Sequence, residues 1–153
     1  MTEVDDLKIR GMAPSDLGPV MALDEKLSGS RSYTSYEELF GYELVGKLNF
    51  SFVATVMKRL VGFVIAHTTF LYIPITEVCI INSIVVDPDY RRHHIGSRLI
   101  EELVIKCRAE NINIIRALVK EPDESLRIFI QQLGFQKSSI VNYDRVFEAT
   151  IEG

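Results

Sequence analysis

The sequence is poor in the features that mark disulfide-rich or metal-binding proteins. It has no tryptophan, and only two cysteines and five prolines among its 153 residues. Cys79 and Cys107 do not form a CxxC motif, so they indicate neither a metal nor a redox site. We predict that both are small residues of the core, in a protein from a reducing compartment. We therefore predict no metal site. A chain of this length can bury a stable core without disulfide bonds.

The sequence also lacks an excess of basic charge and a long apolar run. Its 17 basic and 21 acidic residues give a net charge of −4, whereas a nucleic-acid-binding surface needs cations to neutralise phosphates. The acidic start, Met-Thr-Glu-Val-Asp-Asp, does not have the basic-then-apolar order of a secretory signal. The longest uncharged run, Leu60–Thr76, is shorter than the ~20 apolar residues of a membrane helix and contains His67 and Pro74. We predict a cytoplasmic protein that binds neither nucleic acid nor a membrane.

What is present is an alternation of strand-like and helix-like segments, which is typical of a single α/β domain over residues 1–153. Strands are predicted at Leu7–Met12, Phe50–Met57, Leu60–Leu71, Val78–Val86 and Ile114–Val119, with closing strands after Phe135 and at Val146–Ile151. Helices are predicted from Pro14 to Leu27, from Ser35 to Leu44, from Ile95 up to Asn111, and from Ser125 up to Gly134. The order β-α-α-β-β-β-α-β-α-β-β predicts a mixed α/β sheet with a parallel strand-helix-strand crossover near its middle.

One segment is strongly basic: Tyr90–Arg98, Tyr-Arg-Arg-His-His-Ile-Gly-Ser-Arg, which follows the predicted central strand. Because a helix begins here, its first N–H groups and the positive end of its dipole face the connection. Gly96 lets a ligand approach the main chain, and the arginines and histidines add cationic side chains. The segment therefore predicts an anion site suited to a diphosphate. The residues alone leave open a solvated basic turn that caps the helix, and they match neither the P-loop nor the dinucleotide Gly-x-Gly-x-x-Gly motif.

The segment Val85–Leu99 resembles the acetyl-CoA motif of the GNAT superfamily of N-acetyltransferases, usually Arg/Gln-x-x-Gly-x-Gly/Ala after a Val-x-Pro turn. Arg91 matches the first position of this motif and Gly96 the last. His94 stands where the family generally has its first glycine. The resemblance extends with decreasing strength over most of the chain, because Ser125–Phe135 is similar to the family's C-terminal helix ending in Leu-Gly-Phe.

The resemblance implies a GNAT-like, mostly antiparallel sheet flanked by helices, in which the strand ending at Val86 splays from Ile114–Val119. It also implies acetyl-CoA as cosubstrate, with its pantetheine arm added to the first of these strands through main-chain hydrogen bonds. The pyrophosphate would lie on the N–H groups of residues 92–97. The cofactor-binding residues so implied are Ile84, Val85, Val86, Arg91, Arg92, His93, His94, Ile95, Gly96, Ser97 and Asp123.

The reaction that the resemblance implies is direct attack of an amine on the thioester in a ternary complex. Family members frequently have a Tyr on the last helix that protonates the sulfur, but the matching residue here is Ile130. The ribosomal-protein alanine acetyltransferases, which the chain resembles in Asn142-Tyr143, have a catalytic Glu where this chain has Leu118. We therefore predict Tyr143 as the substitute acid and Glu77 as the base, acting through water. An amphipathic tyrosine on a closing strand and an exposed strand-end charge are the alternatives for these two residues.

The predicted partner is an amine acceptor: a small molecule, a peptide N-terminus or a lysine. Acidic and aromatic residues between Leu23 and Tyr42 suit a cationic amine, although solvated helix faces would have the same composition. A homodimer is compatible with the sequence. Because the usual acid and base are absent, a second hypothesis is a catalytically idle acyl-CoA-binding or sensing module, and a third is a structural α/β domain with a basic turn.

Overall fold

The computed structural model describes residues 6–28, 48–72 and 75–147, so the second predicted helix, Ser35–Leu44, lies outside the described residues. The chain divides into two compact units, Met1–Lys120 and Glu121–Gly153. The first unit contains the sheet described below. One domain over residues 1–153 stays a prediction.

The first unit is a sheet with helices. Its strands and helices are β1 (Leu7–Gly11), α1 (Leu17–Ser28), β2 (Phe52–Val56), β3 (Arg59–Tyr72), β4 (Ile75–Val86), α2 (Ile95–Ala109) and β5 (Ile115–Ala117). The strand order is β1-β2-β3-β4-β5, and every pair is antiparallel except β4 and β5, which are parallel. The predicted mixed, mostly antiparallel sheet with a parallel crossover is therefore confirmed.

Several predicted elements differ from the structure: strand β4 begins at Ile75 rather than Val78, and β2 and β5 are shorter than predicted. Helix α1 begins at Leu17 because Pro14–Asp16 form a 3-10 turn, in which Asp16 Oδ2 accepts from Ala13 N at 2.8 Å. Residues 135–147 form no strand, so the predicted strand after Phe135 is wrong over these residues, and 148–151 lie outside the described part. Within the described residues β5 is consequently an edge strand rather than one near the middle of the sheet.

Local hydrogen bonds are present in the segment that forms no strand. Ile140 N donates to Ser138 Oγ at 2.9 Å, and Asn142 Nδ2 donates to Asp144 Oδ1 at 2.9 Å. The first of these bonds occupies a backbone N–H, which offers the chain there an alternative to a strand ladder. An apolar pattern alone could not show this competition.

Each face of the sheet buries its own apolar layer. The layer that includes helix α1 consists of Met12, Val20, Leu23, Leu48, Val53, Phe63, Ile65 and Val85. On the other face Gly62 lies against helix α2: a Cβ at this position would be 3.1 Å from Ile95 Cγ2 and 3.2 Å from Val85 O. Burial of each large apolar side chain stabilises the fold by roughly 1.5–3 kcal/mol. The absence of a side chain at Gly62 therefore allows the start of α2 to pack directly on the sheet.

The two cysteines lie in the core. Cys79 on β4 is 0% exposed and Cys107 on α2 is 2% exposed, and both are free thiols. The hydrogen bond with Cys107, together with burial, raises the pKa of the Cys79 thiol. A buried thiol of raised pKa is a poor nucleophile at neutral pH, because the thiolate is the reactive form. The prediction of two small core residues is confirmed.

The second unit contains helix α3 (Glu124–Gln132). Asp123 precedes it, and its Oδ1 accepts from Leu126 N at 3.1 Å, which satisfies one of the helix's free N–H groups. At the other end Gly134 has φ 97°, and Phe135 N donates to Ile130 O at 3.3 Å. This is a glycine-ended helix of the Schellman type, as the Leu-Gly-Phe sequence predicts. No helix in the described ranges combines the length and apolarity that crossing a bilayer requires.

Candidate cofactor-binding site

Strand β4 is paired along its whole length on one edge but only along part of it on the other. Strand β3 pairs with β4 from Ile75 to Val86, whereas β5 pairs only with Cys79, Ile80 and Ile81. From Asn82 to Val86 the second edge of β4 faces no strand among the described residues. An extended ligand can add to such an edge through main-chain hydrogen bonds.

A β-bulge marks the point at which this pairing stops. Ile65 is paired with Ser83 and its neighbour Ala66 with Ile81, which leaves Asn82 as an additional residue on β4. Bulges bend a strand and re-aim its side chains, and they are common next to functional sites. The bulge at Asn82 therefore lies at the closed end of the gap between β4 and β5.

The hydrogen-bond pattern shows which main-chain groups face the gap. Asp87 N donates to Val61 O at 2.8 Å, so this pair is a hydrogen-bonded one. Hydrogen-bonded and outward-facing positions alternate along an antiparallel pair. The main-chain groups of Val86 and Ile84 therefore face away from β3, toward the unpaired edge, whereas those of Val85 face β3. Of the three strand residues predicted to hold pantetheine, two therefore have main-chain groups that face no strand among the described residues.

A buried carboxylate shapes the turn after β4. Asp87 is 2% exposed, and its Oδ1 accepts from Asp89 N at 2.9 Å while its carbonyl accepts from Tyr90 N at 2.9 Å. Burial acts to raise the pKa of Asp87, but the hydrogen bonds from Asp89 N–H and from Lys26 outweigh it and hold the pKa below its usual value. The ionised Asp87 thus fixes the 3-10 turn Pro88–Tyr90 that leads into the basic segment.

The start of helix α2 carries the free donors that an anion site needs. The main-chain N–H groups of residues 92–97 donate to no other described residue. Arg98 N is the first to bond back along the chain, to His94 O at 3.0 Å, and the His94 side chain makes no capping hydrogen bond. These N–H groups and the positive end of the helix dipole favour an anion. The side chains of this basic turn therefore do not cap the helix.

The side chains around these donors keep the segment positive. Arg91, Arg92 and Arg98 are exposed, and none of them belongs to an ion pair within the described ranges. The neighbouring carboxylates are neutralised from helix α1, because Lys26 Nζ lies 2.9 Å from Asp87 Oδ1 and 3.0 Å from Asp89 Oδ2. The hydrogen bonds from Lys26 to these two acids raise the pKa of Lys26. An anion approaching the segment meets uncompensated guanidinium groups.

The backbone of the segment is left-handed at two positions. Arg92 has φ 70° and His94 has φ 60°, a conformation that glycine adopts without strain and other residues adopt at roughly 1–2 kcal/mol. This explains physically why a glycine suits the position of His94. The His94 side chain is exposed, His93 is half-buried, and Ile95 and Gly96 are buried in the first turn of α2.

The predicted base lies away from this segment. Glu77 is paired with Phe70 in the first half of β4, nine positions before Val86. At about 3.3 Å per residue the two residues are roughly 30 Å apart along the strand. Alternate side chains share a face of a strand, so Glu77 is on the same face as Cys79, the face that α2 covers. The structure does not bring Glu77 to the unpaired end of β4.

The other residues singled out from the sequence have these surroundings. Leu118 is 79% exposed, just beyond β5, and in the second unit Ile130 is 8% exposed and Tyr143 is 91% exposed. Asp123 caps helix α3 with its carboxylate. The roles of Tyr143 and Asp123 in catalysis and cofactor binding stay predictions.

Sequence patterns did not indicate two features of the site. Lys26 precedes Asp87 by 61 positions, and no local motif links the two. His67 is a lone histidine in an apolar strand, and its Nδ1 lies 2.8 Å from Asn82 Oδ1 at the bulge. The histidine in an otherwise apolar run and the polar Asn82 in an apolar strand are the signals that could have drawn attention to this pair.

Comparison with protein families decides the classification. The model of the acetyltransferase (GNAT) family matches residues 21–135. The chain belongs to the GNAT acetyltransferase family. A comparison with curated protein sequences finds no match.

Solved structures of GNAT acetyltransferases have the same fold. AAC(6')-Iy, in complex with the bisubstrate analogue CoA-S-monomethyl-acetylneamine, has a TM-score of 0.76 and 18% identity, covering 92% of this chain and 97% of that one. The aminoglycoside acetyltransferase meta-AAC0020, from an uncultured soil metagenomic sample, has a TM-score of 0.74 and 21% identity over 95% and 100% of the two chains. Ribosomal-protein-alanine N-acetyltransferase from Brucella melitensis biovar Abortus 2308 has a TM-score of 0.71 and 18% identity over 93% and 99%. At these identities the similarity establishes the fold.

Proposed function

We propose that this GNAT family member transfers the acetyl group of acetyl-CoA to a primary amine by direct attack in a ternary complex. The observation that carries the proposal is the run of N–H groups at residues 92–97 that donate to no other described residue, beside the unpaired edge of β4. A diphosphate and an extended arm are the two parts of CoA that such a surface would bind.

The residues divide the work of binding. The N–H groups of residues 92–97 hold the pyrophosphate, and Arg91 and Arg92 add charge-assisted contacts to its oxygens. The outward-facing main-chain groups of Ile84 and Val86 bind the amides of the pantetheine arm. A main-chain N–H on this edge also stabilises the oxyanion that develops on the thioester carbonyl. None of these contacts requires a particular side chain at Ile130 or Leu118.

The proposed acceptor is a primary amine, either a small molecule or a peptide N-terminus. Three of the protein's fold neighbours support this class, since two are described as aminoglycoside acetyltransferases and one as a ribosomal-protein-alanine N-acetyltransferase. The amine must lose its proton before it attacks, so the site needs a proton acceptor as well as a group that protonates the leaving thiolate. Tyr143 is the proposed acid.

An acyl-CoA-binding or sensing module without catalysis is the second candidate. It is favoured by the apolar residues Ile130 and Leu118 at positions where relatives carry an acid or a base. Both candidates need the same cofactor surface. They differ only in whether a thiol is released when an amine is added.

Two measurements test the proposal. Titration calorimetry with CoA is expected to show binding, and Arg91→Ala is expected to weaken it while the thermal midpoint stays unchanged, because the side chain is exposed. Arg108→Ala, in the last turn of α2, is the matched control and should bind CoA like the wild type. The release of thiol from acetyl-CoA is then measured with three acceptors: spermidine, an aminoglycoside and a peptide with an N-terminal alanine. No binding at tens of micromolar CoA would remove both candidates, and binding without thiol release would favour the sensing module.

A further inference from the structure

A histidine and an asparagine form a pair at the bulge of β4, outside the proposed cofactor surface. His67 Nδ1 on β3 lies 2.8 Å from Asn82 Oδ1 on β4. Asn82 is the bulged residue, at the point where β5 pairing ends. His67 is half-buried and Asn82 is exposed, so the pair borders solvent at the closed end of the gap.

The pair lies on the opposite face of the sheet from Glu77. Phe63 and Ile65 belong to the apolar layer that includes helix α1, and His67 is the next residue of β3 on that same face. Its partner in register is Ile80, whereas Glu77 is on the face of Cys79 and α2. His67 and Glu77 therefore cannot serve the same reacting group.

The hydrogen bond fixes the tautomer of His67. An asparagine Oδ1 can only accept, so the neutral ring facing it carries its proton on Nδ1. The lone pair is then on Nε2, which is the nitrogen turned away from Asn82. A neutral imidazole with a fixed orientation and a free Nε2 is the form that accepts a proton from a bound substrate.

The position of the pair matches the end of the cofactor arm. The inference rests on the proposed function: an arm that starts at the N–H groups of residues 92–97 passes Val86 and Ile84 before it meets the bulge. Val86 and Asn82 are four residues apart, about 13 Å along a strand. The thioester end of the arm is therefore expected beside Asn82, where β4 and β5 come together.

We propose that His67, oriented by Asn82, is the general base of the acetyl transfer. The protonated amine gives one proton to His67 Nε2, and its freed lone pair forms the C–N bond with the thioester carbon. The C–S bond then breaks, and its electron pair stays on sulfur. The nitrogen loses a second proton, and the thiolate gains one, so these two transfers cancel. His67 then releases its proton to water, so one proton is released for each turnover that begins from the ammonium form.

The side chains closest to His67 on its face of the sheet carry no charge. The side chains nearest to it on its face of β3 and β4 are Ile65, Thr69, Val78, Ile80, Asn82 and Ser83. His67 takes part in no ion pair within the described ranges. Glu77, the carboxylate predicted as base, is on the other face.

The test compares two acceptors with and without the imidazole. Spermidine is protonated at neutral pH, whereas hydroxylamine is neutral and needs no base before attack. His67→Gln is expected to lower the rate of thiol release with spermidine by about a hundredfold, which is the low end of what a general base contributes. The rate with hydroxylamine is expected to fall much less. Calorimetric CoA binding is expected to be unchanged. Added imidazole is expected to restore part of the rate of thiol release in His67→Ala. The rate of Asn82→Ala with spermidine is expected to lie between those of the wild type and His67→Gln.

Thr69→Val is the matched control, because Thr69 lies two residues along the same face of β3 and is also half-buried. It is expected to leave both rates near those of the wild type. Wild-type rates in His67→Gln, or equal losses with both acceptors and no response to imidazole, would overturn the assignment. A loss in Glu77→Gln with none in His67→Gln would assign the base to Glu77. A wild-type protein that neither binds CoA nor releases thiol would instead refute the proposed function.

Discussion

Lys26 Nζ lies 2.9 Å from Asp87 Oδ1, which joins the last turn of helix α1 to the end of strand β4. The same ammonium lies 3.0 Å from Asp89 Oδ2. It therefore compensates two negative charges that would otherwise face the anion site. This contact links the helix to the turn that leads into the cofactor-binding segment.

Removal of this ammonium is expected to weaken cofactor binding. In Lys26→Met the two carboxylates repel the pyrophosphate, so the dissociation constant for CoA should rise several-fold, and the loss should shrink at high salt because screening weakens the repulsion. Lys26→Arg keeps the charge and is the control. Calorimetric titration at low and high ionic strength measures both variants. An unchanged dissociation constant in Lys26→Met at low salt would show that the carboxylates do not influence the site.

The ionised Asp87 is expected to make the protein sensitive to acid. Its pKa in the folded protein is below its ordinary value, so its contribution to stability is present above the unfolded pKa of about 3.9 and is lost as the pH falls through the folded pKa. Asp87→Asn should be less stable than the wild type at neutral pH, and the gap should close as the pH falls below about 4. Urea denaturation across this pH range measures the difference in the free energy of unfolding between the two proteins. A gap that stays constant with pH would contradict the role of the charge.

Asp16 adds a second, separate contribution to acid sensitivity. Burial acts to raise its pKa, but hydrogen bonds from Arg10 and Ala13 N–H outweigh it and lower the pKa. Asp87→Asn is therefore expected to keep part of the wild-type acid sensitivity.

Close packing of helix α2 on the sheet predicts that Gly62 tolerates no side chain. In Gly62→Ala the new Cβ would lie 3.1 Å from Ile95 Cγ2 and 3.2 Å from Val85 O, and the carbonyl cannot move without disturbing β4. The free energy of unfolding should fall by about 1–3 kcal/mol. Gly11→Ala is the matched control, because no atom lies within 4 Å of its new Cβ. Equal stability of the two variants would refute the packing argument.

If Tyr143 is the acid, removal of its hydroxyl group should slow turnover. Tyr143→Phe removes the phenolic proton and keeps the ring, so turnover should fall strongly while the dissociation constant for CoA stays the same. The side chain is 91% exposed, which leaves little packing to lose. Steady-state thiol release and calorimetry together measure the effect. A wild-type rate would exclude Tyr143 from the mechanism.

The sequence predicted those parts of the site that depend on neighbouring residues. The end of β4, the turn at Asp87 and the start of α2 at Ile95 follow from local apolar patterns and turn residues, and the structure has them at these positions. The left-handed backbone at His94 is also local, and a family glycine at that position indicates it. In these regions the residues that form the pattern are the same residues that form the strand end, the turn or the helix start.

Contacts between distant residues could not be predicted in this way. The Lys26–Asp87 and His67–Asn82 contacts depend on the register of the sheet and on the bulge at Asn82, which no local pattern specifies. The face of β4 on which Glu77 lies also depends on this register, and its role as base stays a prediction.

The most direct test of the central claim is a titration of isotope-labelled protein with CoA, followed by the amide resonances. We expect the largest shifts at the N–H groups of residues 92–97 and smaller shifts at Ile84 and Val86. Amide resonances in the last turn of α2 should not shift. Saturation with CoA that leaves the resonances of residues 92–97 unshifted would contradict the account.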